Sequence, residues 1–169
     1  APLERWLAAR LPGAEDVRVG ELARPKGGYS AETLIFPVRL RRGSRELEER
    51  YVLRREVPEP SVYPQQAPGL DVEVRIQWRT MQALGRSPGI PLAPRIGYEE
   101  DPAVLGAPFF VMGFVPGQVP IEHPSYTKEG FFVAAAPEQR RRMLEDGLRV
   151  LARIHALDWR EAGLGWLVP

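Results

Sequence analysis

Two short segments of the chain combine residue types that could bind phosphate. Residues 27–30 read Gly-Gly-Tyr-Ser, and residues 51–54 read Tyr-Val-Leu-Arg. Glycine allows a phosphate to approach backbone N–H groups closely, and the hydroxyl of Ser30 could add a further donor. The guanidinium of Arg54 stays protonated and can donate to two phosphate oxygens at once. Gly28, Ser30 and Arg54 are therefore candidates for binding a phosphorylated ligand.

Both segments also have a purely structural explanation. Short Gly motifs are typical of plain hairpin turns, so residues 27–30 could simply reverse the chain. Arg54 and Arg55, beside Glu56, could form a solvated strand end. The residue pattern by itself leaves both alternatives open.

The elements that must position these residues can be predicted from apolar periodicity. Alternating or continuous apolar residues predict five strands, near residues 17–22, 33–38, 50–55, 95–98 and 109–112. A short helix is expected before the first strand, and a second helix, capped by Asp71 and carrying Trp78 and Met81, before the fourth. Residues 58–69 are rich in Pro and predict a mobile or irregular loop. We expect an α+β fold, a five-stranded antiparallel sheet with an inserted helix.

A final helix is predicted over residues 137–158. Its apolar stripe runs through Leu144, Leu148, Leu151 and Ile154, and further apolar residues occupy a neighbouring arc. A stripe this wide should be covered on more than one side, so we expect the chain to be part of a longer protein. Alone, it should expose a patch built from some of the residues Met143, Val150, Ile154, Leu157 and Trp166.

Composition excludes several classes of function. The 23 basic residues are offset by 22 acidic ones, which argues against a nucleic-acid partner. No apolar run approaches the length of a membrane span, so no membrane partner is expected. The absence of Cys excludes disulfides and thiolate metal sites, and it fits a cytoplasmic protein.

The element order and three motifs resemble the aminoglycoside phosphotransferase and choline kinase-like family. The motifs are residues 27–30 in the first hairpin, residues 51–54 on the third strand, and Val-Met-Gly-Phe-Val-Pro-Gly at 111–117. Residues 105–117 are similar to a bacterial branch related to the kinase domains fused to acyl-CoA dehydrogenases. The resemblance implies that residues 1–115 form a protein-kinase-like small lobe that binds nucleotide. Residues 116–169 would then hold the link and the first helix of a large lobe.

The resemblance also implies a set of ATP-binding residues. Val52 would pack on adenine, Arg54 would take the place of the usual Lys on the phosphates, and Met112 would close the back of the cleft. The Gly113 carbonyl and the Val115 N–H would bind the adenine edge. The simpler alternative is that residues 109–114 are only a buried strand. The complete candidate set is Gly28, Ser30, Val52, Arg54, Gln77, Met112, Gly113 and Val115.

Gln77 departs from the family pattern, because it lies where a Glu normally pairs with the strand-three cation. An uncharged amide on the apolar side of a helix needs a partner, and Arg54 is one candidate. Glu73, one turn earlier, could supply the missing carboxylate instead. Gln77 could also be a core amide bonded to the backbone.

Phosphoryl transfer needs a group that positions the acceptor hydroxyl and acidic residues that hold Mg²⁺. The family keeps both in a His-Gly-Asp motif and a later Asp, and this sequence contains no His-Gly-Asp. We therefore assign no catalytic or metal residue to the chain and expect it to be inactive alone. The resemblance implies that the full-length protein moves the ATP γ-phosphate onto a small hydroxyl-bearing substrate. The alternatives are a non-catalytic kinase-like module that binds ATP or a partner protein, and an α+β domain without a nucleotide site.

Overall fold

The computed structural model describes residues 1–25, 31–57, 73–120 and 123–167. Five strands form one antiparallel sheet, which confirms the expected α+β fold. In chain order the elements are α1 (Pro2–Ala8), β1 (Glu15–Val19), β2 (Glu32–Arg42), β3 (Arg45–Arg55), α2 (Glu73–Leu84), β4 (Arg95–Glu99), β5 (Phe109–Gly113), α3 (Phe131–Ala134), α4 (Pro137–His155) and a 3₁₀ turn (Gly165–Leu167). Across the sheet the strands lie in the order β1-β2-β3-β5-β4. The predicted loop at 58–69 and the cap Asp71 lie outside the described residues.

The β2–β3 hairpin is longer than its apolar residues predict. Each strand has 11 residues, and the two pair without interruption from Glu32↔Arg55 to Arg42↔Arg45. The extension is built from opposite charges on facing strands, such as Arg39 Nε to Glu48 Oε2 at 3.0 Å. Cross-strand pairs of this kind stabilise a ladder without burying apolar surface, so an apolar pattern does not detect them.

The two faces of the sheet are covered by different helices. On one face α1 packs its Trp6 against Phe109, with ring centroids 5.0 Å apart. On the other face α2 packs against Phe110, which contacts Val74 and Trp78. The larger core lies on the α1 side, and the apolar cluster on the α2 side is smaller.

Helix α4 buries none of its residues. Its exposed apolar face consists of Met143, Leu144, Leu148, Leu151 and Ile154, with Leu148 65% exposed. Met143 and Ile154 were expected in such a patch, whereas Val150, Leu157 and Trp166 are half-buried. The predicted apolar stripe itself, Leu144 to Leu151, is the most exposed part of this face. None of the described helices is both long and apolar enough to cross a membrane.

We expect the chain of residues 1–169, expressed alone, to self-associate through the exposed apolar face of α4. Exposed apolar patches of this kind drive association. Changing Leu144, Leu148 and Leu151 together to Gln should shift sedimentation toward a monomer, while Arg141→Gln on the same helix should not. A monodisperse monomer before any substitution would contradict this expectation.

Candidate functional site

The pairing of β3 with β5 brings three of the candidate residues to the α2 face of the sheet. Val52 lies opposite Met112, and Arg54 lies opposite Phe110, which α2 covers. Residues directly opposite in an antiparallel pair point to the same face. Ile35 on β2 is paired with Val52 on its other side. Ile35, Val52 and Met112 thus form a continuous apolar surface across three strands, beside α2.

Arg54 is half-buried between this surface and the start of α2. Burial lowers the pKa of its guanidinium, and the negative charge of Glu73 counteracts that shift. The neighbouring Arg55 is fixed differently, because its Nε donates to Glu32 Oε2 at 2.8 Å and it also donates to the Leu105 carbonyl at 2.9 Å. Arg55 therefore joins strands and loops, whereas Arg54 lies on the face of the sheet that α2 covers.

The first turn of α2 carries an acidic group held by an amide. Gln77 Nε2 donates to Glu73 Oε1 at 2.7 Å, and the two residues lie one turn apart on the helix. The start of α2 is anchored in turn to the end of β3, because the Val74 N–H donates to Glu56 Oε2 at 2.9 Å. The carboxylate that acts on Arg54 therefore comes from Glu73, and Gln77 contacts that carboxylate.

The link that follows β5 continues along β3 for one more residue. The Phe114 N–H donates to the Arg50 carbonyl at 3.0 Å, so the backbone groups of Gly113 and Val115 face away from β3. The Gly113 N–H donates to the Pro94 carbonyl at 2.7 Å, and a Cβ at Gly113 would lie 3.3 Å from the Pro94 ring. Val115 is 61% exposed, and its N–H donates to no backbone carbonyl in the described part of the chain.

Six of the eight candidate residues are placed by the structure, and Gly28 and Ser30 lie outside the described residues. Val52, Arg54 and Met112 lie on the same face of the sheet. Gln77 lies on α2, which covers that face, and the backbone of Gly113 and Val115 lies at the end of β5 next to it. Sequence reasoning missed Glu56 and Pro94, which anchor α2 and the link. Neither has a local signal, because each acts through a partner distant in sequence.

The described residues contain no group of three or more His, Asp or Glu side chains that could hold a metal ion. A Mg²⁺ site built from these residues alone does not fit, and we assign no step to the metal. The geometry offers an apolar surface on the sheet, a cation beside it and an edge of backbone groups that face away from β3. Such a set can hold a flat heterocycle joined to an anionic group.

Known proteins resemble this chain over most of its length. The sequence model of the phosphotransferase enzyme family matches residues 30–167. An Arabidopsis thaliana protein named "Probable acyl-CoA dehydrogenase IBR3" is 30% identical over 137 residues, which cover 81% of this chain and 15% of that protein. A crystal structure of a candidate aminoglycoside phosphotransferase from Ralstonia eutropha JMP134 shares the fold with a TM-score of 0.62, at 24% identity. That match covers 97% of this chain and 40% of the other, so the chain spans only part of the proteins it resembles.

Proposed function

This chain belongs to the phosphotransferase enzyme family, and we propose that it is the ATP-binding part of a kinase that phosphorylates a hydroxyl group on a small molecule. The observation that carries this proposal is the register of β3 with β5. It places Val52, Met112 and Arg54 on one face, beside an edge of backbone groups at Gly113 and Val115.

In this proposal adenine lies on the surface formed by Ile35, Val52 and Met112. The Gly113 carbonyl accepts from the adenine amino group, and the Val115 N–H donates to a ring nitrogen. A thioether such as that of Met112 adapts well to a flat ring. Backbone recognition of this kind needs no particular side chain at the link, which is consistent with the exposed side chain of Val115.

The phosphates lie toward Arg54, whose guanidinium would carry the electrostatic role that Lys has in other kinases. Glu73 would orient that guanidinium, and Gln77 holds Glu73 by its 2.7 Å hydrogen bond. Gln77 at the usual Glu position is the feature that favours a non-catalytic module. The carboxylate of Glu73 beside Arg54 weakens that argument, because it restores the missing charge one turn earlier.

Transfer itself would break the bond between the γ-phosphorus and the oxygen bridging to ADP, and form a bond to the acceptor oxygen. The acceptor proton would pass to a base outside the described residues. Mg²⁺, which neutralises phosphate charge in such reactions, is proposed as a companion of ATP.

The proposed function can be tested on the full-length protein with ATP, Mg²⁺ and a panel of acceptors. The panel should contain amino sugars, amino alcohols, simple sugars and hydroxyacyl thioesters, with ADP release and the new phosphate ester followed by ³¹P NMR. Acceptor-dependent ADP release supports the kinase. ATP binding without transfer to any acceptor would favour the non-catalytic module, and no ATP binding would contradict both.

Val115→Pro is expected to weaken ATP binding about tenfold, because it removes the N–H proposed to donate to adenine. The matched variant Val115→Ala keeps that N–H and should bind ATP as the unaltered protein does. Titration calorimetry of the full-length variants measures both values. Equal affinity in the Pro and Ala variants would show that this N–H does not bind the nucleotide.

A further inference from the structure

Helix α2 is held from its outer side by the last part of the chain. The Arg79 guanidinium carbon lies 4.0 Å from the ring centroid of Trp166, in the 3₁₀ turn that follows α4. Both side chains are half-buried. A second contact lies nearby, where Arg153 of α4 donates to the Gly89 carbonyl at 2.8 Å. The part of the chain that follows the link therefore contacts both α2 and the loop between α2 and β4.

Few side chains of α2 are buried against the sheet. Among the residues of α2, only Val74 and Ala83 are buried. Trp78 stacks on Tyr98 with ring centroids 6.4 Å apart and packs at a tilt against Phe110 at 5.8 Å, but it stays half-buried. With so few buried side chains, α2 depends on contacts outside the core, such as the hydrogen bond from Arg95 to the Met81 carbonyl at 2.9 Å. Contacts on its outer side then help to decide where it sits.

The position of α2 decides where the Glu73 carboxylate lies relative to Arg54. Arg79 follows Glu73 by six residues, which at about 100° per residue places the two roughly 120° apart around the helix axis. Arg79 is thus held on a different side of α2 from Glu73. A contact on that side resists rotation of the helix and so keeps Glu73 directed toward Arg54.

We propose that Trp166 is a positioning residue for the nucleotide site, acting through Arg79 to fix α2 and with it the first turn of the helix, where Gln77 holds Glu73, over the face of the sheet that carries Arg54. This inference rests on the proposed function, since its effect is read out in ATP binding. Trp166 touches neither nucleotide nor acceptor. Through Arg79, the position of the segment that carries Trp166 affects the position of α2.

The test is a double-mutant cycle in the full-length protein, with Trp166→Ala, Arg79→Gln and both together. Each single variant should weaken ATP binding about fivefold, and the double variant should be no weaker than either, because both changes remove one contact. Trp166→Tyr and Arg79→Lys keep an aromatic ring and a cation, so they should retain most of the affinity. These milder variants keep the test usable if Trp166→Ala does not fold.

Trp159 supplies a matched control, because it contacts Arg160 at 3.9 Å within the same segment and is 39% exposed. Trp159→Ala should leave ATP affinity unchanged. If the unaltered protein binds ATP but the Trp166 and Arg79 variants bind it equally well, or their effects simply add, the positioning role is wrong. If the unaltered protein does not bind ATP, the proposed function itself fails.

Discussion

Replacing Arg54 by Ala in the full-length protein should lower kcat/KM for ATP by about 100-fold. The reason is that the variant loses the half-buried cation that we propose binds the phosphates, and the negative charge of Glu73 is left without it. Stability should change much less, by about 1 kcal/mol, because the variant also removes the cost of burying the guanidinium. Steady-state kinetics with varied ATP and a thermal melt measure the two effects separately.

Arg39 provides the control for this experiment. Its side chain is 81% exposed on the same sheet and pairs with Glu48, so Arg39→Ala should leave both kinetics and melting nearly unchanged. Arg54→Lys should recover part of the activity, since Lys carries the charge without the planar fork. Unaltered ATP kinetics in Arg54→Ala, in an otherwise active enzyme, would show that Arg54 is only a structural charge.

The second large effect is expected at Glu73. Glu73→Gln removes the carboxylate that acts on Arg54 and should lower kcat/KM by about tenfold or more. Adding Gln77→Glu to that variant moves the carboxylate one helical turn, to the position that holds Glu in the family. The double variant Glu73→Gln/Gln77→Glu should therefore recover much of the lost activity, as ³¹P NMR or coupled ADP assays would show.

Gln82 is the matched control, because it is an exposed amide on the same helix. Gln82→Glu adds the same charge away from Arg54 and should not rescue Glu73→Gln. Equal recovery with Gln82→Glu and with Gln77→Glu would contradict the assignment, because the charge on α2 and not its position would then matter. Full activity in Glu73→Gln would contradict it more directly.

The sequence predicted the elements whose apolar pattern is strong. The apolar run of β5 and the alternation around Val52 predicted the central strands, and the spacing of Val74, Trp78 and Met81 predicted α2. The phase of α2 placed Gln77 and Glu73 near Arg54 but left open which of them supplies the charge. That choice depends on side-chain geometry, here the 2.7 Å bond between Gln77 and Glu73.

Other features depend on contacts that no local pattern encodes. The charged extension of the β2–β3 hairpin depends on cross-strand pairs such as Arg39 with Glu48. The hydrogen bond from the Gly113 N–H to the Pro94 carbonyl and the contact of Arg79 with Trp166 join residues that are distant in sequence. An apolar stripe such as Leu144 to Leu151 has the same residue pattern whether it packs against this chain or against another part of a longer protein. The sequence therefore did not show which side of α4 would be covered.

The most direct test of the account is a crystal structure of the full-length protein with a non-hydrolysable ATP analogue. We expect the adenine between the surface of Val52 and Met112 and the backbone of Gly113 and Val115, with the phosphates within hydrogen-bond distance of the Arg54 guanidinium. An analogue bound on the α1-covered face of the sheet, or on the α2 face with its phosphates away from Arg54, would contradict the account.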